Sequence, residues 1–208
     1  MEQLSCRVLE AWTLPLADMD GIQRDLWFVR DACTALLDRM KNSDTDLVVM
    51  ESLQSAAMIR YSRCFKEGVR KAFQIPKSWL AALEKKLQEI HADTLILRDK
   101  HIAHAVNDWD NHVPELMLTR ESPDARPVAI AAWVAYSGTL GLSPDWTIGL
   151  RDVSLILASK INDEMEAEKK RIIDQFNSLA RDEVERRLKE DKGTIPDERE
   201  MHKSRRRS

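Results

Sequence analysis

Residues 97–105, with the sequence LRDKHIAHA, concentrate side chains that could act on a phosphate ester. A histidine whose pKa lies near neutrality can accept a proton from a ribose 2′-hydroxyl, and both His101 and His104 could do so. An arginine such as Arg98 can bind a phosphate through two hydrogen bonds and stabilise the charge that develops on it. These are the two tasks that RNA cleavage without a metal ion requires.

The spacing of these side chains favours a pair other than Arg98 and His104. At about 100° per residue, Arg98 and His104 lie roughly 120° apart around an ideal helix. His101 lies only about 60° from Arg98 and is the better neighbour within one helix, although it could also be a hydrogen-bonded core histidine. Arg98 and His104 can therefore act together only if the helix is distorted or a second chain completes the site.

Four amphipathic segments would have to position these side chains. In each segment, apolar residues recur at steps of three and four, which is typical of a helix with one buried face. The stripes are Ile22, Leu26, Val29, Cys33, Leu36 and Met40; Leu47, Met50, Gln54, Ala57, Tyr61, Cys64 and Gly68; Leu80, Leu83, Leu87, Ile90, Thr94 and Leu97, continued by His101 and His104; and Ile148, Val153, Leu157, Ile161, Met165, Ile172, Phe176, Leu179, Val184 and Leu188.

Capping residues and prolines mark the ends of the predicted helices. The second helix is predicted over roughly residues 44–73, with Ser43 or Asp44 as its cap and Pro76 beyond its end. The third is expected to start at Pro76 and run for about seven turns. The last, capped by Asp145, is expected to exceed about forty residues, and its charged second half could project from the body or pair with another chain.

Two short apolar runs before the last helix, separated by Ser122–Pro123–Asp124, predict a small β-hairpin at about residues 114–135. The alanines in this region fit a helix equally well. The predicted fold is mostly α, an antiparallel four-helix bundle with a small β-hairpin inserted before the last long helix. We expect one domain over residues 1–191 and a polar, basic, disordered tail over residues 192–208.

Composition narrows the classes of function. The formal net charge is −3, so any contact with RNA must come from a local basic patch. The three cysteines, Cys6, Cys33 and Cys64, are far apart and fit buried thiols in a reducing compartment. No run approaches the roughly 18 apolar residues of a membrane span, and no secretory leader is recognisable. We therefore expect a cytoplasmic protein without a membrane partner.

The sequence around Arg98 resembles the HEPN superfamily. Residues 98–104, RDKHIAH, fit the R-x(4–6)-H pattern of that superfamily, and Asp99 is the polar residue that often follows the arginine. The flanking sequence looks like the abortive-infection branch, in which R-[ND]-K-x-I-A-H is common. Residues 58–65, MIRYSRCF, resemble an arginine-bearing helix that recurs in uncharacterised relatives.

The resemblance implies a helical domain that dimerises, with Arg98 and His104 of both chains facing one cleft. It implies RNA cleavage without metal or cofactor, in which His104 is general base or acid, Arg98 binds the scissile phosphate and Asp99 orients the pair. Many such proteins are toxins or phage-defence effectors, so an antitoxin or regulatory protein is an expected partner. Others have lost catalysis and bind nucleotides or partners. Val106 stands where one branch carries a modified tyrosine, so modification there is not expected.

Several alternatives remain open for the same residues. Arg98 and His104 could form a polar patch at a dimer interface, and Lys100 could be a solvated charge. A metal site is a further alternative, although the chain has no HExxH motif. Its potential ligands crowd into residues 101–112 and are His101, His104, Asp108, Asp110 and His112.

The arginines of the second predicted helix, Arg60, Arg63 and Arg70, are expected to pair with nearby acids at the surface. Arg60 and Arg63 are auxiliary candidates, since either could line an RNA groove. Trp109 and Trp133 could stack on bases, but packing of the hairpin against the helices explains them more simply. A last alternative is a helical interaction protein in which residues 165–190 bind the partner.

Overall fold

Helices make up most of the computed structural model, which describes residues 10–42, 46–66, 68, 70–99, 110–120, 122–123, 126–138 and 143–190. The side chains of residues 110–115, 133–138 and 189–190 are outside this description. After a 3₁₀ turn at Ala11–Thr13, the elements are α1 (Leu14–Lys41), α2 (Leu47–Arg63), α3 (Lys77–Ala81), α4 (Lys85–Leu97), β1 (Asp110–Thr119), β2 (Val128–Gly138), α5 (Pro144–Asn177) and α6 (Arg181–Glu190). The predicted mostly helical class is confirmed.

Helix α1 packs along both α5 and α2, and α4 contacts the same two helices. The apolar stripe predicted for α1 is buried, and burial of each aliphatic side chain contributes roughly 1.5–3 kcal/mol. Five of its members are at most 2% exposed: Ile22, Leu26, Val29, Cys33 and Leu36. The first four belong to one core cluster with Val153 and Leu157 of α5. The antiparallel four-helix bundle itself stays a prediction.

Helix α2 is shorter than predicted, because it ends at Arg63 instead of near residue 73. Asp46 caps its start, where the side chain accepts a hydrogen bond from the Val49 amide at 3.1 Å. Beyond its end, the buried carboxylate of Asp18 accepts the backbone amides of Ala72 at 2.8 Å and Phe73 at 3.4 Å. A side chain from α1 thus satisfies amides that the predicted helix would have paired internally.

The third predicted helix is divided in two. The short α3 is followed by a turn at residues 82–84, and α4 begins at Lys85. The Gln88 side chain donates to the carbonyl oxygens of Ala81 at 3.1 Å and Leu83 at 2.8 Å. These bonds satisfy carbonyl groups that the break leaves unpaired, so the apolar stripe continues across it with Leu83 and Ile90 both buried.

The last predicted helix is also interrupted. Helix α5 ends at Asn177, where the Ser178 hydroxyl donates to the Gln175 carbonyl at 2.7 Å, and α6 begins at Arg181. The cap of α5 is Ser143, which accepts the Trp146 amide at 3.2 Å, and not Asp145 as predicted. Arg187 of α6 forms an ion pair with Glu10 at 2.5 Å. Helix α6 therefore contacts the N-terminal segment.

The predicted β-hairpin is confirmed and is longer than residues 114–135. Strands β1 and β2 are antiparallel, with Pro114 opposite Val134 and an irregularity between Met117 and Leu118. Leu118 and Ile130 are more than half exposed.

Among the described helices, none combines the length and the hydrophobicity that crossing a membrane would demand.

Candidate functional site

Arg98 and Asp99 lie at the C-terminal end of α4. Helix α4 ends at Leu97, and the next two residues form a wider, π-type turn. Such turns occur often at functional sites. His101 and His104 lie outside the described residues, as do Lys100, Val106 and Trp109.

Asp99 joins two basic side chains from different parts of the chain. Its Oδ1 atom accepts a hydrogen bond from Nη1 of Arg98 at 3.0 Å, and its Oδ2 atom accepts one from Nζ of Lys66. These bonds, that of Lys66 first and that of Arg98 second, hold the pKa of Asp99 below its usual range. The carboxylate thus remains ionised near neutral pH and ties the segment after α2 to the end of α4.

A buried carboxylate organises the arginines of the neighbouring segment. Asp25 of α1 is 1% exposed, and its two oxygens lie 2.8 Å from Nη1 of Arg60 and of Arg70. Nε of Arg63 lies 3.7 Å from Oδ2 of Asp25. The expected pairing of these arginines with an acid is confirmed, but the acid lies in the core and not on the surface. We call these four residues the Asp25 cluster.

The Asp25 cluster carries excess positive charge, because three guanidinium groups share one carboxylate. The side chains of Arg60 and Arg63 are 42% and 53% exposed, whereas that of Arg70 is 20% exposed. Arg60 also lies over the Phe28 ring, with its Cζ atom 4.7 Å from the ring centre. Each guanidinium has five N–H donors in total, so donors remain for an anion in solution.

Next to this cluster is a cavity of about 230 Å³, which we call the basic cavity. It extends between the end of α2, the segment before α3 and one face of α4. Twelve residues line it: Ile22, Arg63, Cys64, Phe65, Lys66, Arg70, Phe73, Gln74, Ile75, Lys77, Leu80 and His91. Four of them are cationic and none is acidic, so its walls favour a negatively charged ligand.

His91 joins α4 to α2 at the wall of the basic cavity. Nδ1 of His91 and the hydroxyl of Tyr61 are 2.9 Å apart, and the His91 and Phe65 rings meet edge to face with centres 4.6 Å apart. Burial lowers the pKa of His91 and raises that of Tyr61. Both groups are therefore neutral at pH 7. If the buried Tyr61 hydroxyl donates to Nδ1, the imidazole carries its own proton on Nε2.

The sequence interpretation missed Asp25, Lys66 and His91. Asp25 was detectable, because it follows Ile22 by three residues and so shares the buried face of α1, where a carboxylate needs a partner. Lys66 and His91 carried no comparable signal. For the metal alternative, no group of three potential ligands occurs among the described residues, and the side chains of Asp110 and His112 are not among them. The side chain of Trp133, considered above for stacking on bases, also lies outside the description.

Comparison with known proteins does not assign the chain to a family: no family model, curated protein or solved structure matches it. Inference of its function therefore depends on its own residues and their geometry.

Proposed function

We propose that this protein is a HEPN-type, metal-independent endoribonuclease, built on an antiparallel bundle of α1, α2, α4 and α5. The observation that carries the proposal is the position of Arg98. It stands at a distorted helix end beside Asp99, which also binds Lys66 from the segment bordering the basic cavity. A phosphate could bind there close to several cations.

In the proposed reaction, Arg98 binds the non-bridging oxygens of the scissile phosphate. One Nη1 hydrogen is held by Asp99, which fixes the plane of the guanidinium and leaves its other donors for substrate. His104 removes a proton from the attacking 2′-hydroxyl or water, and a histidine then returns a proton to the leaving 5′-oxygen. Lys66 adds positive charge where the phosphate gains negative charge in the transition state.

The proposal extends to assembly and biology through the resemblance at residues 98–104. We propose a homodimer in which the Arg98 and His104 pairs of two chains face one cleft. A second chain would also remove the difficulty that the two side chains do not share one face of an ideal helix. A role as a toxin or phage-defence effector, with an antitoxin or regulatory partner, belongs to the same proposal, as does a cytoplasmic location.

The second candidate is a HEPN-like module that binds a nucleotide or a partner without cleaving RNA. One observation favours it, namely that the charge of Arg98 is already matched by the adjacent Asp99 at 3.0 Å. In this version, the arginines of the Asp25 cluster would hold the ligand. The third candidate, an interaction protein acting through residues 165–190, has less support because α6 is engaged with Glu10.

The deciding experiment is cleavage of a mixed pool of cellular RNA by the purified full-length chain in EDTA. Three variants accompany the wild type: His104→Ala, Arg98→Gln and Arg24→Gln. Arg24 is a matched control, because its side chain is 72% exposed on α1 and, among the described residues, forms an ion pair with Asp20 of the same helix at 2.8 Å. We expect the wild type and Arg24→Gln to cleave equally, and the other two to lose about 10²-fold or more of the rate.

Two results would overturn the proposal. If no protein cleaves RNA but the wild type binds it, the binding module replaces the enzyme. If His104→Ala cleaves as fast as the wild type at matched stability, then His104 is not the catalytic base. Sedimentation of the wild type, with and without RNA, tests the dimer separately.

A further inference from the structure

The basic cavity is distinct from the site at Arg98, although one ion pair connects the two. Lys66 lines the cavity and also binds Asp99, whose other oxygen binds Arg98. Arg98 itself does not line the cavity. A ligand that occupied the cavity would therefore lie next to a phosphate at Arg98 without replacing it.

The charges around the cavity are not balanced by the acids that contact them. Arg63 and Arg70 share Asp25, and Lys66 shares Asp99 with Arg98. Lys77, at the start of α3, forms no ion pair with any described residue, and its side chain lines the same space. An anion with one or two negative charges would offset part of this excess, and the fork of an arginine matches a phosphate in geometry.

The Asp25 cluster keeps part of this charge in a fixed position. Nη1 of Arg70 donates to Oδ2 of Asp25 at 2.8 Å, and Gly21 lies so close that a methyl group there would stand 2.8 Å from Nε of Arg70. The arginine is thus held between the backbone of α1 and a buried carboxylate. A cation that is fixed before binding loses little entropy when the ligand arrives, which favours affinity.

The remaining lining and the volume indicate what is attached to the phosphate. Phe65, Phe73 and His91 add ring surfaces, on which a sugar or base can pack. The neutral His91 ring can offer a hydrogen bond without adding charge. At about 230 Å³, the cavity is smaller than the roughly 300–1,000 Å³ of pockets for drug-sized ligands, so it fits one nucleotide unit at most.

We infer that the basic cavity binds one nucleotide phosphate, with Arg63, Lys66, Arg70 and Lys77 as its cationic wall. The inference deepens the proposed ribonuclease, since a strand held at Arg98 could place a non-scissile phosphate in the cavity. In that case the ligand is part of the substrate RNA. A free mononucleotide has the same chemistry, and the two sources are separable by experiment.

The test is binding by the full-length protein, measured by fluorescence anisotropy with a 3′-labelled ten-nucleotide 2′-O-methyl RNA. Lacking a free 2′-hydroxyl, this probe blocks cleavage through that group and separates binding from catalysis. Adenosine monophosphate is the second probe, measured by calorimetry. The cavity variants are Lys77→Gln and Arg63→Gln, both of which alter exposed side chains. Lys85→Gln is the control, since Lys85 is 90% exposed on α4 and outside the cavity.

We expect each cavity variant to weaken binding of at least one probe by about tenfold. The slope of log K for RNA against log salt concentration should also fall by the equivalent of about one phosphate contact. Lys85→Gln should bind like the wild type. Cavity-dependent binding of RNA assigns the phosphate to the substrate. Cavity-dependent binding of adenosine monophosphate alone supports the cavity as a nucleotide site, while the proposed RNA function is judged separately from the cleavage assay. Equal binding by the cavity variants and Lys85→Gln, at matched melting temperature, would overturn the inference.

Discussion

Arg70 lies against Gly21 of α1, so closely that a methyl group on Gly21 would stand 2.8 Å from Nε and 3.0 Å from Cζ of the guanidinium. The same guanidinium binds the buried carboxylate of Asp25 at 2.8 Å. The absence of a side chain at residue 21 thus provides the space through which Arg70 reaches its partner. The wall of the basic cavity therefore depends on one glycine within a helix.

A Gly21→Ala variant sets two effects against each other. Alanine is favoured in a helix interior by about 0.8–1.0 kcal/mol over glycine. A hydrogen bond to a charged group contributes about 1.5–3 kcal/mol, and the new methyl group would displace the arginine that makes it. We expect the second effect to be larger, with a net loss of about 1 kcal/mol in the free energy of unfolding measured in urea.

The control for this prediction is the same change in an Asp25→Asn background. There the ion pair is already absent, so Gly21→Ala should be neutral or stabilising. Asp25→Asn alone should cost about 2 kcal/mol, less than the roughly 3–5 kcal/mol of fully buried pairs, because Arg60 and Arg63 can reach water. Equal effects of Gly21→Ala in both backgrounds would show that Arg70 is not displaced.

The position of α4, which ends directly before Arg98, depends on a second close approach. A methyl group on Gly149 of α5 would stand 2.0 Å from Cδ1 of Ile90. Gly149→Ala should therefore destabilise the protein by about 1–3 kcal/mol through overpacking. Ile90→Val removes the clashing carbon at a cost of about 0.5–1.5 kcal/mol, so the double variant should be more stable than Gly149→Ala alone. Additive losses in urea denaturation would contradict this contact.

The helix faces were predictable from sequence, whereas several helix ends were not. Ile22, Leu26 and Val29 recur at helical spacing, and this local pattern is sufficient to identify a buried stripe. The segment predicted to continue α2 is instead bound by Asp18, which accepts the backbone amides of residues that follow it by more than fifty positions. A hydrogen bond between residues so far apart in sequence has no local signature.

The same distinction holds for the candidate site. For Arg98 and Asp99, the resemblance implied that Asp99 orients the arginine, and the two side chains form a hydrogen bond. The bond from Lys66 to Asp99 joins residues 33 positions apart, and that from Arg60 to Asp25 joins residues 35 positions apart. Only the packing of α1, α2 and α4 brings these groups together. The arginines of the Asp25 cluster were recognisable by type, and the burial of Asp25 could be inferred from its helical spacing, but the pairing between them could not.

The pKa of His91 makes stability depend on pH in a defined direction. Burial lowers this pKa below its ordinary value of 6.5, so the unfolded chain takes up a proton near pH 6.5 that the folded chain does not. The free energy of unfolding should be at its full value above about pH 6.5, fall as the pH decreases below it, and level off below the folded-state pKa. Urea denaturation of the wild type and of His91→Gln between about pH 5 and 7.5 measures how the free energy of unfolding of each depends on pH. The stability difference between them should shrink as the pH falls, and a constant difference would contradict the assignment.

The buried thiols should resist alkylation in the native protein. Burial raises the pKa of Cys33 to about 12, and burial together with the nearby Asp25 carboxylate raises that of Cys64. Since the thiolate is the reactive form, iodoacetamide at pH 8 should leave both residues unmodified under native conditions and label both in urea, as read by peptide mass spectrometry. Cys64 lines the basic cavity, whereas Cys33 lies in the core, so any residual labelling should favour Cys64. Rapid native labelling of Cys33 would show that the contact between α1 and α5 opens in solution.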